Sequence, residues 1–329
     1  MGLIALAVAL LVEQLRPLAP DNRVHRLARD AVDLARQHSS TDRSFDATLG
    51  WFAVVLGSIA VVVVLQWIAE AINSLASFLL HVAILYLTIG FRRFDHHLRE
   101  ILAALERDDL PQAERLLAAW IAASEPGASP VAPAMPAGAE GPAPGKARLC
   151  RAAITHGLVS AHREFFGPVL AYLLLPGAIG PVAYRMVDLL ARRWAQPGAD
   201  DPHARVAARG LGIVDWIPLR VTAAGFAIAG DFEDSTYCWR SAIAGGAGRD
   251  QRAMLVAVGS GSLGLDLVDP ERDRHWAGPR GEGLAPAFDW RGTVPDAGGI
   301  RSTIGLLWRA ATLVVGIFVL VALSSWLGG

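Results

Sequence analysis

Cysteine is scarce in this chain of 329 residues, which carries two, Cys150 and Cys238. Two isolated thiols build no framework of bridges and offer no paired metal-ligand spacing, so a disulfide-stapled scaffold and a cysteine-based metal centre are both excluded. The expected state is a pair of reduced thiols facing a reducing compartment. Lysine is scarcer still: Lys146 is the one lysine among 30 basic residues. An excess of either charge is also missing, with 30 Lys plus Arg against 31 Asp plus Glu and a net charge of −1, so no bulk field points to nucleic acid or to an acidic partner. Apolar side chains are what the chain has in quantity. They make up 53% of it, with a mean hydropathy of +0.37, which places it in the membrane class.

The first twelve residues, MGLIALAVALLV, lack a basic leader region and an A-x-A-like cleavage site, so they are expected to stay in the mature protein. The apolar run is too short to cross ~30 Å of hydrocarbon at 1.5 Å per residue, which predicts a re-entrant or interfacial helix. Three segments are long and uncharged enough to span unaided: Leu49 to Leu65, extendable to Ile72; Leu75 to Gly90; and Ala311 to Gly328. Only Ala71-Ile72-Asn73-Ser74 separates the first two, which predicts a helical hairpin. Arginine marks the cytoplasmic side, and Arg16, Arg23, Arg26, Arg29, Arg36 and Arg43 precede the hairpin while Arg92, Arg93 and Arg99 follow it. Its flanks are therefore expected inside and its tip outside, in the bacterial inner membrane, with several passes.

From Phe91 to Ala123 apolar residues recur at helical spacing (Phe94, Leu98, Ile101, Leu102, Leu105), which predicts a cytoplasmic amphipathic pair. Residues 124–147 are Pro, Ala and Gly without periodicity and are expected to be a disordered insert. Segment 165–184, FFGPVLAYLLLPGAIGPVAY, is long enough to cross but is interrupted by Pro168, Pro176, Gly177, Gly180 and Pro181. Broken helices persist at membrane depth only where protein or a wet cavity satisfies the freed backbone groups. An arginine-bearing loop follows, so segments 165–184 and 211–230 are expected to leave and return, or to dip as re-entrant pairs. Residues 231–303 are expected to be a cytoplasmic region of short helices and loops, before a C-terminal span in 304–329 with Arg309 at its inner boundary. The expected organisation is 1–48, an apolar helix and basic segment; 49–90, a transmembrane hairpin; 91–123, the helical pair; 124–147, the insert; 148–230, broken membrane helices; and then the last two regions. The fold class is all-α: a polytopic helical membrane protein with broken or re-entrant helices and cytoplasmic amphipathic helices.

Several stretches carry a resemblance. LYLTIGFRRFDHHLREILAALERDDLPQAERLLAAW, then AYRMVDLLARRW, DWIPLRVTA and GSLGLDL, ahead of a C-terminal span, resemble the CobD/CbiB superfamily of membrane proteins. That superfamily holds adenosylcobinamide-phosphate synthases and AmpE-like proteins linked to β-lactamase regulation. Its most specific element here is Asp215, Trp216, Pro218 and Arg220, similar to an Asp/Asn-Trp-x-Pro-x-Arg signature. The synthases carry an acidic, amide-rich run resembling E-S-V-A-E-N-T-S-D-G; the corresponding stretch here is Thr155 to Glu164, THGLVSAHRE, without its first two glutamates, its asparagine or its aspartate. Amide formation with ATP needs oxygen ligands for magnesium and donors for phosphate. The resemblance therefore implies an AmpE-like regulatory or sensor protein, with a cobalamin-pathway synthase using ATP and Mg as the alternative. No other cofactor and no metal site is implied, and the partners expected are the bilayer and an anionic small molecule.

Charged residues in an apolar segment face a partner, a cavity or the boundary. Asp215 and Arg220 either sit at the cytoplasmic rim as a helix cap and its snorkelling partner, or line a ligand pocket together with Asp188 and Arg185. Trp216 and His97 complete the candidate ligand-binding set. His96 and His97 are adjacent and cannot share a metal as i, i+4 ligands do; His156 and His162, six apart, miss that spacing too, and coordination by them with Glu164 would require a bend between them. Gly259-Ser-Gly261-Ser-Leu-Gly264 fits G-x-G-x-x-G but is followed by a charged loop, so small-residue helix packing is its better account. Cys238 is expected to be a buried structural thiol.

Overall fold

The structure, a computed structural model, describes residues 2–15, 23–37, 44–124, 142–175, 177–195, 201–269 and 290–327. Its regular elements are helices throughout: α1 (Gly2–Leu15), α2 (Arg23–Gln37), α3 (Ser44–Ile72), α4 (Ser74–Thr88), α5 (Phe91–Glu106), α6 (Leu110–Ser124), α7 (Pro142–Ala161), a π turn (His162–Phe166), α8 (Gly167–Leu174), α9 (Ile179–Trp194), α10 (Pro202–Val214), α11 (Trp216–Ala229), α12 (Phe232–Ala244), α13 (Gln251–Leu263) and α14 (Ala297–Leu327). An isolated bridge between Leu265 and Thr293 is the one β contact among the described residues. This is an all-α membrane protein. Three rods are long and apolar enough to cross, Phe45–Ile72, Ser74–Glu106 and Ala297–Val321, and a fourth is formed if α10 and α11, bent by 58° at their junction, make one span.

α3 turns into α4 with no loop, because Asn73 caps the second helix: its Oδ1 accepts the Ala76 N–H at 2.7 Å, satisfying a donor that the helix start leaves open. Along α3, Phe52, Leu56, Val61, Val64 and Ile68 are exposed, the pattern of a surface solvated by lipid rather than water. α1, at 14 residues, is about 21 Å long, too short to cross, and packs Leu6 and Ala9 into the main core beside α4. α8, which continues α7 through the π turn, packs against α9 as a hairpin. α8 has 8 residues, roughly 12 Å, and the turn after it uses Gly177 at φ +68°, a left-handed position where a side chain would be strained. Gly180 lets the two arms close, since a Cβ there would lie 2.0 Å from the Ala171 carbonyl oxygen.

Two prolines set the irregular points. Pro168 has no N–H to offer the carbonyl four residues back and crowds it; that carbonyl, on Glu164, instead accepts the Gly90 N–H at 2.9 Å. The chain winds locally into a π turn, with Gly167 N–H reaching the His162 carbonyl. Pro218 likewise leaves the Val214 carbonyl without its helical donor, and the bend between α10 and α11 falls there.

After Gly230 the chain forms the short helices α12 and α13. α13 is buried along its whole length, and its Met254, Leu255, Val256 and Val258 belong to the same core as α5, α7 and α11. The G-x-G-x-x-G stretch ends this helix: a Cβ on Gly261 would be 2.5 Å from the Asp234 carbonyl oxygen and one on Gly259 would be 2.4 Å from Leu158 Cδ1. These glycines therefore permit close helix contact. Most of the expected 124–147 insert lies outside the described residues, but α7 already begins at Pro142. Cys150 and Cys238 are both buried and free.

Candidate functional site

The π turn and the α10–α11 bend face each other, and the polar groups they carry meet in one buried network. Asp215, 2% exposed, sits at the bend. Its Oδ1 accepts from His162 Nε2 at 2.9 Å and from the Tyr184 hydroxyl at 3.0 Å, and its Oδ2 accepts from Gln251 Nε2 at 2.8 Å. A carboxylate has no proton to give, so Nε2 of His162 is assigned the hydrogen; His162 Nδ1 then meets the Thr222 hydroxyl at 2.9 Å. Gln251, the first residue of α13, uses its other atom, Oε1, to accept from Arg163 Nε at 2.5 Å. Arg163 in turn lies 3.7 Å from Asp188. The chain of contacts thus runs from the bent helix through α13 and the π turn to α9.

Asp188 is fully buried and collects arginines. Arg192 donates to its Oδ2, and Arg185 Nη1 lies 3.9 Å from the same oxygen. Arg185 also donates to the Arg163 carbonyl, at 3.4 Å, and Arg192 to the Ser124 carbonyl, at 3.2 Å. A buried carboxylate is tolerated only when paired, and here three guanidinium groups surround one. Further positive charge comes from α2 and α5. Burial, and then the charges of Arg185, Arg93, Arg29 and Arg192, push the His25 imidazole down to about 4.

Two more acids converge at the break between α4 and α5. Glu13, 3% exposed, accepts the Arg92 N–H on Oε1 at 2.8 Å. Its Oε2 and the Oε2 of Glu164 are both buried with no hydrogen-bond partner, and Glu164 Oε2 is 3.2 Å from where a Cβ of Gly90 would be. No cluster of three or more His, Cys, Asp or Glu side chains able to hold a metal exists among the described residues.

Of the residues singled out from the sequence, the structure brings together Asp215, Asp188 and Arg185, linked through Gln251 and Arg163. It sets the others apart. Asp215 makes no side-chain cap to α11, because its oxygens are taken by His162, Tyr184 and Gln251. Arg220 does not pair with it: its guanidinium lies over the Trp216 ring, 4.1 Å from the centroid, and donates to the Trp216 and Gly248 carbonyls at 3.0 and 3.1 Å. His97 stacks on Trp120 with centroids 5.2 Å apart and lies 3.6 Å from Glu100. Trp120 also meets His156 edge-on, which leaves His156 and His162 in different surroundings. Tyr184, Thr222, Gln251, Arg163 and Arg192 were not read as site residues from the sequence. The signal for Arg192 was its helical spacing, four residues after Asp188, whereas Arg163 and Gln251 give none.

The fold and this network define a helical membrane protein whose polar interior is built on broken helices. Over 265 residues the chain is 27% identical to the cobalamin biosynthesis protein CobD of Stutzerimonas stutzeri, covering 80% of this chain and 78% of that one. Over 187 residues it is 27% identical to the protein of the same name from Chromobacterium violaceum, covering 56% of this chain and 54% of the other. These similarities support membership of the CobD/CbiB superfamily. No family model matches the chain, and no solved structure does.

Proposed function

We propose that this chain works in cobalamin biosynthesis as a CobD/CbiB-type protein of the bacterial inner membrane, joining an aminopropanol-type amine to a corrinoid carboxylate at the expense of ATP. The observation that carries this reading is the likeness to a protein named for cobalamin biosynthesis over four-fifths of the chain. The polar interior supports it. Arg163, Arg185 and Arg192 present guanidinium groups suited to phosphate oxygens, and His25, held neutral first by burial and then by neighbouring arginines, adds a donor without further charge. Magnesium is held by one or two carboxylates together with substrate phosphates. Glu13 and Glu164, each with a buried oxygen lacking a partner, fit that role, whereas both oxygens of Asp215 are taken. Bound ATP would activate the carboxylate for attack by the amine. The chain's own part is to orient the phosphates with arginine, to keep water out with the Phe91, Phe165 and Phe166 cluster, and to hold the π turn in place through His162 and Asp215.

A second reading is favoured by one specific feature. Thr155, Val159, Ser160 and Arg163 occupy the run where the synthases carry two glutamates, an asparagine and an aspartate, which suits an AmpE-like membrane regulator that binds an anionic ligand without turning it over. Purified protein in detergent, given ATP, magnesium, a corrinoid acid and 1-amino-2-propanol, separates the two. An amide product with release of phosphate supports the synthase. No corrinoid binding and no phosphate release removes it and leaves the regulator.

A further inference from the structure

α2 carries three faces, and one of them is apolar and exposed. At about 100° per residue, Val24, Leu27, Ala31 and Leu34 fall within an arc of roughly 80°, and all four are exposed, Leu27 at 68%. Next to them lie Arg23, Arg26, Asp30 and Gln37, also exposed. The third face packs inward. Val32 is fully buried beside Val187 and Trp194, Arg36 pairs with Asp201 at 2.6 Å, and the Trp194 indole donates to the Val32 carbonyl at 3.3 Å.

The helix is thus fastened on one side to α9 and α10, with an apolar stripe left on the other. Beside it stands α3, a candidate membrane span with exposed apolar residues of its own. α2 packs on α3, six residues separate the two helices, and the near end of α3 exposes Phe45, Leu49 and Phe52. A helix with a narrow apolar arc, arginines beside it and a membrane span next to it has the composition of one lying in the plane of the headgroups. We propose that α2 is an interfacial helix, seated with Val24, Leu27, Ala31 and Leu34 at the acyl boundary and with Arg23 and Arg26 among the lipid phosphates. Its inner face then roofs the arginine cluster from the membrane surface, since His25 and Arg29 belong to that face. The inference does not depend on the reaction assigned above.

The full chain, with Cys150 and Cys238 replaced by Ala, reconstituted into vesicles of phosphatidylcholine and phosphatidylglycerol, tests this with single nitroxide labels. Labels go on cysteines introduced at Leu27, Leu34, Arg26 and Asp30, all on the outer surface, so the fold is not disturbed; thermal melting checks that each variant is folded. Labels at Leu27 and Leu34 are expected to relax with oxygen and to be shielded from a nickel chelate by several-fold relative to those at Arg26 and Asp30. Equal nickel access at all four positions overturns the proposal. So does dipolar broadening at Leu27 that disappears on dilution with unlabelled protein, because a second copy would then cover the stripe.

Discussion

Asp215→Asn is the most direct probe of the network, because it removes a charge and changes almost no volume. In the native protein Asp215 takes two donors on Oδ1 and the Gln251 amide on Oδ2. In the variant one of these positions becomes an NH2 group. If that group faces Gln251, two donors oppose each other, and Gln251 cannot turn over because its Oε1 is held by Arg163. If it faces His162 and Tyr184, those two donors lose their acceptor. Either way at least one buried donor is stranded, at about 1–3 kcal/mol, and the charge-assisted bond from His162 weakens by a similar amount. The expected loss is about 3 kcal/mol, which corresponds to a fall in Tm of roughly 5–10 °C, read from tryptophan fluorescence in detergent. Adding Gln251→Glu should return most of it, since the exchanged pair again matches donor to acceptor and keeps an acceptor for Arg163. A fall no larger than that of the exposed control Asp30→Asn, or strict additivity of the two changes, would refute the reasoning.

The remaining expectations are shorter. The unfolded His25 imidazole takes its proton near pH 6.5, but the folded one only near 4. The unfolded state therefore binds more protons between those values, and stability falls as pH drops through that window. From pH 7 to 5 the loss for a fully shielded ring would be about 2 kcal/mol, and about 1 is expected for this partly exposed one; melting curves of His25→Gln should lack that component, and parallel curves would count against it. Gly180→Val should open the α8–α9 hairpin at a cost of about 3 kcal/mol or more, while Gly305→Ala, with nothing within 4 Å of the new Cβ, should melt as wild type does. Burial pushes the thiol of Cys150 up to about 11 and that of Cys238 up to about 12, so maleimide at pH 7 should modify neither until the chain is denatured.

The helical class and its long apolar rods were legible because both are local properties: valine-rich runs without charge, and a hairpin turn closed by Asn73. The two proline-set irregularities were half legible. Pro168 and Pro218 announce broken helices, but which donor takes the freed Glu164 carbonyl depends on Gly90, 74 positions earlier. The pairing of Asp215 was misjudged for a related reason. Arg220 is five residues away in sequence, yet Pro218 intervenes and the ring of Trp216 offers the guanidinium a closer seat. The true partners, His162, Tyr184 and Gln251, arrive from three other elements, 53, 31 and 36 positions distant. The small-residue helix packing expected for the G-x-G-x-x-G stretch is what Gly259 and Gly261 do in α13, whereas the place of that helix in the core with α5, α7 and α11 rests on contacts distant in sequence.

The charge balance around Asp188 leads to the last prediction. Arg163, Arg185 and Arg192 surround one carboxylate, and burial, reinforced by the charges of Arg185, Arg93, Arg29 and Arg192, pushes the His25 imidazole down to about 4. A protein that needed Asp188 only as a buried tie would be satisfied by one arginine in good geometry, since each further buried guanidinium adds desolvation that a single carboxylate does not repay. An anion entering the cluster removes that imbalance and should stabilise the fold through its binding free energy, about 2.7 kcal/mol at one hundred times its Kd. Inorganic pyrophosphate is therefore expected to raise the Tm of the purified protein at concentrations where sodium chloride of equal ionic strength does not, and Arg185→Gln should weaken the response while leaving Asp188 paired with Arg192. The same rise with chloride, or an undiminished pyrophosphate response in Arg185→Gln, would mean that the arginines act on Asp188 alone and that the phosphate-binding role assigned to this cluster is wrong.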